Sequence, residues 1–160
     1  MDDAVRIAKC DKAWEELYIT SLLMRKAWEI EAASLGLTLP QALVLHCLDE
    51  SPEKLTLGEL AQKMYRDPQG ISALISRMEA EGLVVKKRHL KRGNQIIVSM
   101  TKKGEEVCRR QLAEGAAMSV TRALSERELD TLHAICNKMR LEAIKLIREM
   151  RPTPYAALID

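Results

Sequence analysis

The residues most suggestive of chemistry lie between Val84 and Lys103. This stretch carries Lys86, Lys87, Arg88, Lys91, Arg92, Lys102 and Lys103, with Asn94 among them, and contains no Asp or Glu. The whole chain holds 25 basic and 23 acidic residues, a formal charge of +2, so the balancing acids sit elsewhere and the cationic charge is local. Uncompensated cations suit phosphate contact, because each one neutralises backbone charge and releases counterions. Carried on a hairpin tip, they can also enter a minor groove, where the potential is most negative. The plainer reading is a solvated hairpin whose lysines protect its edges.

A second cluster follows Asp67. Gln69, Gly70, Ser72, Ala73, Ser76 and Arg77 fall on the polar side of a helical pattern. Its apolar side is Ile71, Leu74, Ile75 and Met78. Gln can pair with an adenine edge and Ser with a base or phosphate. The small Gly70 and Ala73 permit close approach to a groove. Arg66, just before the helix, and Arg77 suit phosphates. Arg77 has an alternative in Glu81, one helical turn on, and Ser72 and Ser76 can equally be plain surface residues.

Helices must position both clusters. Residues 5–34 read as one helix, with Trp14, Leu17, Tyr18, Ser21, Leu22, Arg25 and Trp28 at alternating spacings of three and four and Gly36 as its C-terminal cap. Thr38-Leu39-Pro40-Gln41 restarts a helix as a capping box with Pro in the first turn. Thr56-Leu57-Gly58-Glu59 opens a short helix, and Asp67-Pro68 opens the next, which Gly82 closes. Two short helices joined by a tight turn make a helix-turn-helix. Leu83–Leu90 and Gln95–Met100, around Gly93-Asn94, read as a hairpin, which in that position is a wing. Thr101 caps a helix to about Leu124, loosened at Gly115. Ser125-Glu126-Arg127-Glu128 starts the last helix, where Leu129, Leu132, Cys136, Met139, Ala143, Leu146 and Met150 form a heptad seam. The same seam would serve a dimer or an intramolecular bundle.

Several classes are excluded. There is no P-loop, dinucleotide fingerprint, G-x-S-x-G elbow or H-E-x-x-H, and the three His do not suggest a general base, so no enzyme and no cofactor is expected. Aromatic residues are 3% with no Phe, which argues against base stacking on single strands. The four cysteines are scattered and no run approaches a membrane span, so reduced thiols and a cytoplasmic location are expected. Cys10, flanked by Lys9 and Lys12, is the candidate redox thiol. Cys47 and Cys136 fall on apolar faces and read as inert, and Cys108 precedes Arg109 and Arg110. His133 with Cys136, and His46 with Cys47, fall short of a metal set, so no metal is assigned. Trp14, Tyr18, Arg25, Trp28 and His46 can supply walls and anchors of a ligand pocket, or simply be core.

The order and spacing of these pieces carry a resemblance. From about Leu37 to Gly104 the chain resembles the MarR family of bacterial transcriptional regulators. The match runs through Leu37-Thr38-Leu39-Pro40-Gln41, Leu57-Gly58-Glu59-Leu60-Ala61, Leu74-Ile75-Ser76-Arg77-Met78-Glu79-Ala80-Glu81-Gly82-Leu83 and Val98-Ser99-Met100-Thr101-Lys102-Lys103-Gly104. The resemblance implies an obligate homodimer whose first and last two helices interdigitate, and two winged lobes reading a pseudo-palindromic site in double-stranded DNA. It also implies release by a small aromatic acid, an acyl thioester or an oxidant acting at the junction of dimer helices and lobe. Two departures stand out. Where the family wing often has Asp-x-Arg, this chain has Arg92-Gly93-Asn94, so the orienting ion pair is missing. Ala73 stands where many relatives have Arg.

The expected fold is mainly α with a small β-hairpin wing, a winged helix-turn-helix with long N- and C-terminal dimerisation helices. Residues 1–36 form the N-terminal dimerisation helix, 37–104 the DNA-binding domain, and 105–160 the C-terminal dimerisation helices and tail. The expected function is a ligand-released, sequence-specific DNA-binding regulator, a repressor. The alternatives are a thiol-based redox sensor of the same fold, and a winged helix that binds protein without specific DNA recognition.

Overall fold

The computed structural model describes residues 3–51, 53–89 and 95–150. Among these residues, seven helices and three short strands follow in the order α1 (Asp3–Ser34), α2 (Leu39–Asp49), β1 (Leu55–Thr56), α3 (Leu57–Lys63), α4 (Pro68–Ala80), β2 (Val84–His89), β3 (Gln95–Met100), α5 (Lys102–Glu114), α6 (Ala116–Arg122) and α7 (Glu126–Glu149).

The helix starts follow the cap chemistry. Gln41 Oε1 accepts from the Thr38 N–H at 2.8 Å and from its hydroxyl at 3.0 Å. The Thr56 N–H donates to Glu59 Oε2 at 2.6 Å, and the Glu59 N–H donates back to Thr56 Oγ1 at 3.2 Å. Asp67 Oδ1 accepts from the Gly70 N–H at 2.6 Å, and Thr101 Oγ1 from the Gly104 N–H at 3.1 Å. Ser125 donates to Glu128 Oε2 through its N–H and its hydroxyl. Each bond satisfies a polar group that the first turn of the helix would leave unpaired.

The helix ends are as specific. Gly36 (φ 73°) and Gly82 (φ 72°) sit in the left-handed region that favours Gly. At the first end, the Leu37 N–H reaches back to Ala32 O at 2.8 Å; at the second, the Leu83 N–H reaches Met78 O at 2.9 Å. Both leucines are thereby tucked into the core.

One antiparallel sheet has the order β1-β3-β2. The hairpin register pairs Val84 with Met100 and His89 with Gln95, while Leu55 and Thr56 pair with Val98 and Ile97. The strand β1 is absent from the sequence-based reading, because two residues show no period and Thr56 doubles as the cap of α3. Val44, Leu45, Leu60, Ile71, Ile75, Met78, Val84, Val98 and Cys108 are fully buried and join α2, α3, α4, the sheet and α5 in one core.

The helix expected from Thr101 to about Leu124 is broken at Gly115 (φ −56°, ψ 113°) into α5 and α6. The helices α1 and α7 are uninterrupted over 32 and 24 residues, yet α1 buries only Ala32 and α7 buries nothing. The α7 seam is exposed: Leu129 is 37% accessible, Met139 40% and Leu146 57%. Cys136, expected on an apolar face, is accordingly exposed. Among the described residues no single helix is long and apolar enough to cross a membrane.

Candidate DNA interface and adjoining cavity

One side of α4 is sunk in the core through Ile71, Leu74, Ile75 and Met78, and this fixes what the other side presents. Gln69, Gly70, Ser72, Ala73, Ser76 and Arg77 are all exposed there. Gly70 has a local reason to be Gly: a Cβ would lie 2.7 Å from Asp67 Oδ2, crowding the cap that starts the helix. The alternative partner for Arg77 is otherwise engaged. Glu81 Oε2 accepts from Gln41 Nε2 at 2.6 Å, a bond that ties buried Gln41 of α2 to the end of α4. Among the described residues the Arg77 guanidinium makes no ion pair.

The basic arm divides in two. Lys86 is not a free cation: its Nζ lies 2.9 Å from Glu79 Oε2 and donates to Ser76 Oγ at 3.1 Å. Its backbone N–H donates to Glu79 Oε1 at 2.9 Å. The two Glu79 oxygens thus brace the start of the wing against α4, and the lysine holds the Glu79 carboxyl below the usual carboxylate range. Lys86 and Ser76, singled out above as DNA contacts, are occupied by this brace. Lys87 and Arg88 are exposed without ion pairs among the described residues. Lys103 Nζ donates to Glu81 O at 2.8 Å. Lys91, Arg92 and Asn94 lie outside the described residues.

Tyr65, which sequence reasoning passed over, is the one non-glycine at positive φ (49°) among the described residues. The Arg66 N–H bonds back to Ala61 O at 3.0 Å, as at the two glycine ends. Tyr65 therefore closes α3 in a conformation costing about 1 kcal/mol, and the residue is 51% exposed. Only a turn-geometry argument, a tight two-helix junction lacking Gly, would have marked it.

A cavity of about 750 Å³ opens between α1, the α1–α2 turn and α2. Its walls are Ser21, Met24, Arg25, Trp28, Glu29 and Ala33 of α1, then Leu37, Thr38, Leu39, Pro40 and Leu43, with Arg66 at one side. Of the pocket residues expected from sequence, Arg25 and Trp28 are on this wall. His46 lies behind it, edge-on to Trp28 with ring centroids 5.8 Å apart, and pairs with Glu50 at 3.3 Å. Trp14 and Tyr18 are exposed on α1 and do not line the cavity. Ser21 and Arg25, polar interruptions four apart in an apolar helical series, were the available signal for this face.

The thiols separate by environment. Cys10 is exposed. Burial pushes the Cys47 thiol up, partly opposed by Lys63. Burial, helped by Asp49, pushes Cys108 up to about 11, which makes it a core side chain. Among the described residues no three His, Cys, Asp or Glu side chains converge to hold a metal.

This arrangement matches known proteins. Residues 35–92 fit the MarR family model. The chain is 32% identical over 88 residues to the organic hydroperoxide resistance transcriptional regulator of Bacillus subtilis, covering 55% of the chain and 59% of that relative. It is 29% identical over 118 residues to an HTH-type transcriptional repressor of Mycobacterium tuberculosis, covering 74% and 80%. Among solved structures, the ligand-free organohalide-sensing regulator RdhR superposes with a TM-score of 0.69 at 23% identity, covering 90% and 88%. MepR of Staphylococcus aureus, solved as a DNA complex, gives 0.68 at 18%, covering 80% and 96%. These superpositions establish the winged-helix fold of the chain.

Proposed function

We propose that the chain is a sequence-specific, double-stranded DNA-binding transcriptional regulator, a repressor, acting as a homodimer and released by a small-molecule effector. The observation that carries this reading is the pairing of two uncommitted polar surfaces. The exposed side of α4 offers Gln69, Ser72 and Arg77, and the acid-free β2 beside it offers Lys87 and Arg88. An α-helix fits a major groove, and in this reading Arg66, Arg77, Lys87 and Arg88 neutralise flanking phosphates. In this reading the wing tip, with Lys91, Arg92 and Asn94, reaches the adjacent minor groove.

The dimer is supported by what the chain leaves uncovered. An amphipathic helix buries its apolar stripe somewhere, and the stripe of α7, together with Leu17, Leu22 and Leu23 of α1, is exposed in the single chain. Residues 1–36 and 105–160 then form the two-fold scaffold, and 37–104 the lobe, with Cys108 of α5 reaching back into the lobe core. Two lobes so held would read a pseudo-palindrome with half-sites about 34 Å apart. The cavity has the size of a small-ligand site, and its apolar walls with Arg25 and Arg66 suit a small aromatic acid or the acyl part of a thioester. RdhR, solved also with 2,4-dichlorophenol, supplies a precedent for an aromatic ligand in this fold.

The test is a mobility shift on DNA adjoining the chain's own coding sequence, at two salt concentrations, with sedimentation to give the mass. The expected result is a dimer whose binding weakens steeply with salt, with Gln69→Ala or Ser72→Ala relaxing sequence preference. Absence of any shift at low salt favours the protein-interaction alternative, and a stable monomer refutes the two-fold reading.

A further inference from the structure

We infer that Arg66 is a shared anion contact, for which an effector carboxylate in the large cavity and a DNA phosphate beside α4 compete. The inference rests on the cavity being the effector site. Its starting point is that one side chain belongs to two walls. Arg66 lines the 750 Å³ cavity, and it also lines a second cavity of about 460 Å³ that includes Gly70 and Arg77 of α4 and the Glu81 carboxylate, which Gln41 Nε2 holds at 2.6 Å. Thr38, Pro40 and Arg66 are common to both walls, and Arg66 alone of these is charged.

Charge commitment then decides which cation an anionic effector meets. Arg25, the other cation of the large cavity, has its Nε 3.1 Å from Glu29 Oε1, and Lys26 shares that carboxylate at 3.8 Å. Glu29 itself lines the cavity and repels an anion from that end. Arg66 makes no side-chain hydrogen bond or ion pair among the described residues. Its position is nevertheless set, because its N–H is bonded to Ala61 O, Tyr65 before it is held at φ 49° and Asp67 after it caps α4. A carboxylate among Met24, Trp28 and Leu43 loses water and has to be paired, and a planar guanidinium offers it two parallel N–H donors. The same guanidinium, turned to its other side, lies with Arg77 at the beginning of the DNA-facing surface. One group cannot complete both pairs, so effector binding withdraws a phosphate contact without any change in the distance between lobes. By linkage, DNA weakens the effector by the same factor.

The experiment uses 1-naphthoate and its neutral isostere 1-naphthamide, with DNA from beside the chain's coding sequence. A Trp14→Phe background leaves Trp28, on the cavity wall, as the single tryptophan reporter. Naphthoate is expected to bind about tenfold more tightly than naphthamide, the scale of a charge-assisted pair. Arg66→Gln is expected to abolish that preference, and Arg25→Gln to retain it. Saturating naphthoate is expected to weaken DNA binding about tenfold in the parent, and to leave it unchanged in Arg66→Gln, whereas saturating naphthamide leaves it unchanged in both. If acid and amide bind alike, or release DNA alike, the cavity reading survives and the shared role of Arg66 is overturned. If neither compound alters Trp28 emission, the cavity reading fails, and the inference with it.

Discussion

Alanine at Gly104 and alanine at Gly58 are expected to act in opposite directions. Both glycines lie in the first turn of a Thr-capped helix, and both are followed by Glu. At Gly58 a Cβ would find only Thr56 Oγ1, 4.0 Å away. At Gly104 it would lie 3.2 Å from the Leu83 carbonyl carbon, 3.4 Å from Met100 Cβ, and well inside contact distance of the Leu83 oxygen. Relief requires α5 and the end of α4 to separate by on the order of 1 Å. Overpacking of this kind costs about 2 kcal/mol. The Leu83 oxygen also accepts from the Thr101 N–H at 3.0 Å, while the Thr101 hydroxyl donates to Gly82 O at 2.6 Å, so the one strained bond adds about 1 kcal/mol. Better helix propensity returns about 1 kcal/mol. Gly104→Ala should therefore lose roughly 2 kcal/mol, a fall in Tm of about 4–8 °C for a chain of this size. Gly58→Ala should be neutral or gain up to about 1 kcal/mol. Urea and thermal unfolding followed by circular dichroism, at one fixed protein concentration, measures both. A Gly104→Ala protein within about 0.5 kcal/mol of the parent would refute the close approach of α5 to Leu83.

Tyr65→Gly is expected to stabilise the fold by about 1 kcal/mol by removing the left-handed strain, read by the same unfolding curves; a loss would mean that the ring is held by contacts of its own. The Glu79 brace carries a pH signature: its carboxyl is held down when folded, so its stabilisation is present above the ordinary value of 4.5 and is lost as pH falls through the lower folded value. Glu79→Gln should flatten that acid-side decline and weaken DNA binding by loosening the wing, and an unchanged acid limb would refute the brace. Lys87→Ala and Arg88→Ala are each expected to lower affinity for all sequences alike and to reduce the salt slope by about 1, as scored by mobility shift across a salt series. Cys108 should resist thiol reagents at pH 8 until unfolding, while Cys10 reacts at once. Because burial raises its folded value to about 11 from 9.0, Cys108 contributes stability below pH 9 that is lost as pH rises toward 11.

The chain order of elements was legible because its signals are local. Capping boxes at Thr38, Thr56 and Ser125, the Asp67-Pro68 start and the glycines at 36 and 82 each act within a few residues, so sequence determined them and the winged helix-turn-helix that they outline. The exposed side of α4 followed from the same logic, since Ile71, Leu74, Ile75 and Met78 had to face inward. What tertiary structure decided depends on distances between segments. It committed Lys86 to Glu79, turned Arg66 toward two cavities, set Trp14 and Tyr18 off the cavity wall and left no room for a Cβ at Gly104 where Gly58 has space. Pairing across 3 Å between residues far apart in the chain leaves no periodic trace, so only the folded backbone could assign it.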